Sequence, residues 1–151
     1  MLALLEKKKK EIIIDYCVER FGISELIFEE YNLYEGSKYR IYLMKELLEL
    51  RFIPESSGLC IFRYDKTPKP TTNFLQLYSA NITKNVLDIN EEDLIKYCKG
   101  NDLQICSKFD EIEPGFIAIR YNNNIIGCAH WNNITVKNQL PKSRRCKINY
   151  C

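Results

Sequence analysis

Histidine is almost missing from this chain: one residue, His130, in 151. That alone excludes an HExxH metal site, and no carboxylate beside His130 in sequence orients it as a general base. It reads as a packed strand residue. Glycine is scarce too, with six residues, and none falls into a GxGxxG, GxxxxGK[ST] or GxSxG pattern, so dinucleotide, P-loop and hydrolase signatures are absent. No two of the seven cysteines are spaced CxxC. Cys128, His130 and Cys146 match no common zinc-finger spacing, so no metal and no cofactor is expected. Cys146, between Arg145 and Lys147, is the only thiol with cationic neighbours that could activate it, and it has no base to pair with. No catalytic residue is assigned, and the expectation is a protein that is not an enzyme.

No apolar run reaches the length of a membrane span. Met1–Leu5 is apolar but precedes the Lys7–Lys10 run, the reverse of a signal peptide. A cytoplasmic location with reduced thiols follows as the expectation, the cysteines acting as small core hydrophobes.

The most informative absence is acidic. Residues 1–65 hold 10 basic and 12 acidic side chains, whereas residues 66–151 hold 12 and 8. After Glu113 there is no Asp or Glu at all, while Arg120, Lys137, Lys142, Arg144, Arg145 and Lys147 all follow it. Such a segment presents positive potential that no carboxylate near it in sequence offsets. Acidic residues folding back from the N-terminal half are the competing outcome.

The periodicities predict an α+β protein. Leu2–Phe21 reads as a helix around a solvated lysine run, stopped by Gly22, and Ser24 caps a short second helix through Glu29. Tyr31–Tyr34 and Lys38–Leu43 are strand-like around a Glu35-Gly36-Ser37 turn, Met44–Leu50 has helix composition, and Gly58–Tyr64 is a buried-strand run. Asp65–Thr72, with two prolines and no large apolar residue, reads as a junction. This divides the chain into a small N-terminal α+β unit, residues 1–65, and a second unit, residues 66–151.

That second unit opens with a short helix or turn at Asn73–Tyr78. Asn90 then caps a helix through Tyr97 that ends at Gly100, with Glu91, Glu92 and Asp93 complementing its dipole. These acids are therefore structural rather than a metal or acid–base site. Leu103–Cys106, Phe116–Tyr121, Ile125–Trp131 and Ile134–Val136 are strands, with a turn at Glu113–Phe116 and a hairpin at Asn122–Asn124. Several short strands and one helix predict a small, partly closed β-barrel.

The binding candidates lie in the acid-free segment. Lys137, Lys142, Arg144, Arg145 and Lys147 carry groups that suit phosphate, and Asn138 has an amide that suits sugars or base edges. Arg144 and Arg145 read equally well as a solvated face. His130 and Trp131 offer stacking surfaces to looped RNA, although Trp131, ending an apolar strand, reads first as core.

Four runs resemble a known module: KPTTNFLQLY (69–78), NVLDINEEDLIKYCKG (85–100), EPGFIAIRYNNNIIGCAHW (113–131) and KNQLPKSRR (137–145). They are similar to the C-terminal RNA-binding region of Fmu/Sun-type RNA cytosine-5 methyltransferases, a PUA-like domain. Gly115, Gly127 and the Lys137-Asn138…Pro141-Lys142…Arg145 strip are the most specific part. ERFGI (19–23) looks, more loosely, like the segment that precedes this module in the same family. Nothing in the chain matches a methyltransferase domain or its Pro-Cys motif. The resemblance implies a stand-alone PUA-like barrel that binds rRNA or tRNA in ribosome biogenesis or RNA modification, without methyl transfer. The alternative is an adaptor that docks on a separate RNA methyltransferase or ribosome assembly factor through its Tyr-rich N-terminal half.

Overall fold

In this computed structural model, residues 1–46, 51, 52, 54–105 and 111–146 are described. The lysine-rich opening forms helix α1 (Lys7–Phe21), which buries Ile13, Cys17 and Phe21 at four-residue spacing and leaves its lysines toward water. Gly22, at φ +65°, closes the helix in the left-handed region and donates to Val18 O at 3.0 Å. The helix expected to start at Leu2 begins only at Lys7. Ala3–Leu4 instead form a short strand, β1, antiparallel to Tyr34 and Glu35, with Leu2 and Leu5 buried on either side of it. Edge pairing satisfies that backbone while its flanking leucines reach the core.

The second expected helix is one 3₁₀ turn, Glu25–Phe28, with Ser24 Oγ accepting from Leu26 N at 3.3 Å. Strands β2 (Asn32–Glu35), β3 (Arg40–Met44), β4 (Leu59–Tyr64) and β5 (Pro68–Pro70) follow. With β1 they make an antiparallel sheet in the order β1-β2-β3-β4-β5. The helix expected over Met44–Leu50 begins on a residue that closes β3, and positions 47–50 lie outside the described residues. The proline-rich 65–72 segment is partly ordered as β5. Thr71 N–H then donates to Ile61 O at 3.0 Å, tying the exit of β5 back to β4.

Thr71 caps helix α2 (Thr72–Leu77), whose buried Phe74 and Leu75 face strands of both halves. The second sheet follows: β6 (Val86–Asp88), helix α3 (Glu91–Cys98), β7 (Leu103–Gln104), β8 (Gly115–Tyr121), β9 (Asn124–Trp131) and β10 (Thr135–Asn138). Its order is β6-β8-β9-β10-β7, with β6 parallel to β8 and the other pairs antiparallel. The sheet curls into a half-barrel. Asn90 caps α3 as expected, its Oδ1 accepting from Asp93 N at 2.8 Å. Asn122 and Asn123, at φ 46° and 64°, make the two-residue turn between β8 and β9, the backbone a type I′ hairpin requires.

Two cores result. The first gathers Ile13, Phe21, Phe28, Phe62 and Phe74 with Ala118, Ile125 and Cys128 of the second sheet. The second fills the half-barrel with Leu87, Tyr97, Leu103, Ile117, Trp131, Val136 and Leu140. Arg20 fastens the seam, donating to the carbonyls of Glu113 (2.6 Å), Pro114 (3.1 Å) and Phe116 (2.7 Å).

Candidate nucleic-acid interface

Strand alternation decides which candidates meet solvent, because successive side chains leave opposite faces of a sheet. Phe116, His130 and Lys137 are register partners across β8, β9 and β10, so they share one face. Lys137 is exposed; His130 is half-buried, its ring edge-on to Phe116 at 5.0 Å and 89°. One position along, Trp131 pairs with Val136 on the other face, and both are buried in the half-barrel core. At 4% exposure, Trp131 has no ring face open to solvent.

Asn138 shares the inward face. Its Nδ2 donates to Tyr97 O (2.7 Å) and Asn101 O (3.0 Å), and its Oδ1 accepts from Leu140 N (2.8 Å). The amide thus fastens the end of α3 to β10, and its hydrogen-bonding capacity is largely used there.

Beyond Pro141 a 3₁₀ turn, Lys142–Arg144, swings the chain back toward α2. Lys142 is exposed at its start. The Arg144 guanidinium binds Gln76 Oε1 at 3.0 Å and Asn73 Oδ1 on α2 while remaining exposed. Arg145 is half-buried, donates from Nε to Leu140 O at 3.1 Å and lies against Gly100. Lys147 lies outside the described residues. The structure therefore brings Lys142 and Arg144 onto one turn, with Lys137 and His130 on the outward face of the sheet. It turns Trp131 and Asn138 inward.

A cleft of about 680 Å³ adjoins that turn, and its lining includes Pro141, Ser143 and Arg144 together with Arg40, Arg63 and Lys69 of the first sheet. These three cations escaped the sequence reading, since only the strand register brings positions so far apart in the chain together. A second cleft, about 770 Å³, has the opposite chemistry, with Glu19, Asp88, Glu111 and Glu113 against Lys84 and Arg120. Arg120 is engaged there by Asp88 at 2.7 and 2.8 Å, a bidentate pair that holds the Asp88 carboxyl below its ordinary range. No group of three or more metal-ligating side chains occurs among the described residues. None of their helices is long and apolar enough to cross a membrane. In the N-terminal half Tyr34, Tyr42 and Tyr64 are buried, and Tyr39 is exposed.

The curled half-barrel is the part of the chain in which a PUA domain lies. Residues 84–146 match the family described as the Methyltransferase RsmF PUA domain, and no methyltransferase domain is found in the chain. The matched range takes in all five strands of the second sheet, α3 and the Lys142–Arg144 turn. Residues 66–83, which form β5 and α2, precede it. No curated protein matches the chain.

Proposed function

We propose that this chain is a non-catalytic, cytoplasmic RNA-binding protein that acts on rRNA or tRNA in ribosome biogenesis or RNA modification. The observation that supports the reading is the match of residues 84–146 to a PUA domain of RNA-modifying enzymes, joined to a strip free of acidic residues along β10 and the turn after it. Lys137, Lys142 and Arg144 contact phosphates, Arg145 and Asn138 hold the strip in shape, and Lys147 extends it. His130 is the stacking candidate with ring surface at the outer face.

Phosphate contacts release counterions, so the affinity falls with salt by about 0.7–0.9 log units per log unit of salt for each phosphate neutralised. Titration of structured rRNA or tRNA fragments against the wild type and Lys137→Ala/Lys142→Ala, at several salt concentrations, tests this. The double variant weakens binding and flattens the slope. Identical curves for the two proteins would remove the strip from the interface.

A further inference from the structure

The antiparallel register of the first sheet sets Arg40 opposite Arg63, and Arg63 opposite Lys69. Directly paired residues project from the same face, and neighbouring strands lie about 5 Å apart. Three cations therefore stand in one row across β3, β4 and β5. Like charges placed directly opposite destabilise a sheet, and among the described residues none of the three has an ion-pair partner. Such a row is a line of positive charge that an anion lying along it would offset.

The row lines the 680 Å³ cleft, and Arg144 lines it too. No Asp or Glu lines it. Thr72, 3% exposed, is among the lining residues, and its Oγ1 is closed off from solvent with no hydrogen-bond partner among the described residues. Its neighbour Thr71 commits its hydroxyl to Cys60 O, Ile61 O and Phe74 N. The hydroxyl of Thr72 is sealed inside the protein, so the cation row, Arg144 and the acid-free lining carry the chemistry of the cleft.

We infer that this inter-sheet cleft is a phosphate-binding site, in which Arg40, Arg63, Lys69 and Arg144 hold RNA phosphate. The inference rests on the proposed RNA binding and deepens it, because it adds the N-terminal sheet to the interface. Guanidinium forks match phosphate oxygens in pairs. Arg144 makes the cleft continuous with the Lys137–Lys142 strip, so one RNA strand runs from the half-barrel edge into the groove. The phosphate comes either from the internal backbone or from a 5′ end, and both present the same oxygens.

Fluorescence-anisotropy titrations over a salt series distinguish these sources, using one RNA prepared with a 5′-hydroxyl and with a 5′-phosphate. The proteins compared are wild type, the cleft variant Arg63→Glu/Lys69→Glu and the strip variant Lys137→Glu/Lys142→Glu, each checked for native circular dichroism. If the charge reversal disturbs folding, Arg63→Gln/Lys69→Gln takes its place. The cleft variant loses about tenfold or more in affinity, with a slope shallower by roughly 1.4–1.8. An equal loss on both RNAs assigns internal phosphates, and a loss confined to the phosphorylated form assigns the 5′ end. Unchanged affinity and slope in the cleft variant, alongside a weakened strip variant, overturn the cleft and leave RNA binding standing. Failure of the wild type to bind either RNA overturns both.

Discussion

Gly127 on β9 stands where Tyr97 of α3 takes its space: a Cβ at 127 would run into the Tyr97 phenol oxygen. That oxygen donates to Cys128 O at 2.7 Å inside the half-barrel. Gly127→Ala therefore overpacks the core and costs about 1–3 kcal/mol. Tyr97→Phe is milder, about 1 kcal/mol, because Cys128 O keeps Gln139 N–H at 3.1 Å. Urea denaturation of the two variants checks the order; a neutral Gly127→Ala would contradict it.

Arg20 is worth more through carbonyls than through charge. Its three backbone acceptors lie at 2.6, 3.1 and 2.7 Å, whereas its ion pair with the largely exposed Glu113 carboxylate is 3.9 Å long. Arg20→Ala should cost about 2–3 kcal/mol, and Arg20→Lys should recover only part of it, since an ammonium cannot reproduce the fork. Glu113→Ala should stay within about 0.5 kcal/mol of wild type. Thermal melts of the three variants separate the contributions.

The first core draws Phe62 and Phe74 together with Ala118, Ile125 and Cys128. Residues 1–65 and 66–151, the units proposed from the sequence, should therefore melt in one transition, and Phe74→Ala should lower it as a whole by about 3–5 kcal/mol. Calorimetry giving two separated transitions would show that the units unfold independently.

Stability should fall in alkali. Burial pushes the Cys128 thiol up to about 12 and pushes Cys17 up as well, whereas an unfolded thiol titrates near 8.5. Above that value the unfolded chain releases protons that the folded chain keeps. Each buried thiol then contributes a stability present below about pH 8.5 and lost at up to about 1.4 kcal/mol per pH unit as pH rises toward the folded value. Denaturation between pH 7 and 10 measures the slope, and Cys128→Ala should flatten it even though the variant is less stable throughout.

Local chemistry was easy to read in the sequence, and long-range register was not. Asn90 announces the start of α3 because a cap is written in one residue and the acids after it, and the Asn122-Asn123 turn is local in the same way. The half-barrel was likewise legible from its strand-turn pattern. Three-residue β6 was missed because its partner, β8, lies about thirty residues on and pairs in parallel, with no hairpin signal between them. Ala3–Leu4 share the apolar character of a helix start, and only the edge of β2 decides otherwise. Among site residues, the resemblance marked Asn138, but its amide serves the fold. The Arg40–Arg63–Lys69 row is a product of pairing across three strands, which no single stretch of sequence displays.

The strand order of the half-barrel also bears on how it is made. β7 is translated before β8, β9 and β10, yet its neighbour in the sheet is β10. While the chain emerges from the ribosome, Leu103–Gln104 have no strand to join until Thr135–Asn138 have left the exit tunnel. Until then the apolar wall formed by Leu103, Ile117 and Trp131 stays open, so a nascent chain stalled before β10 is a natural client for a chaperone.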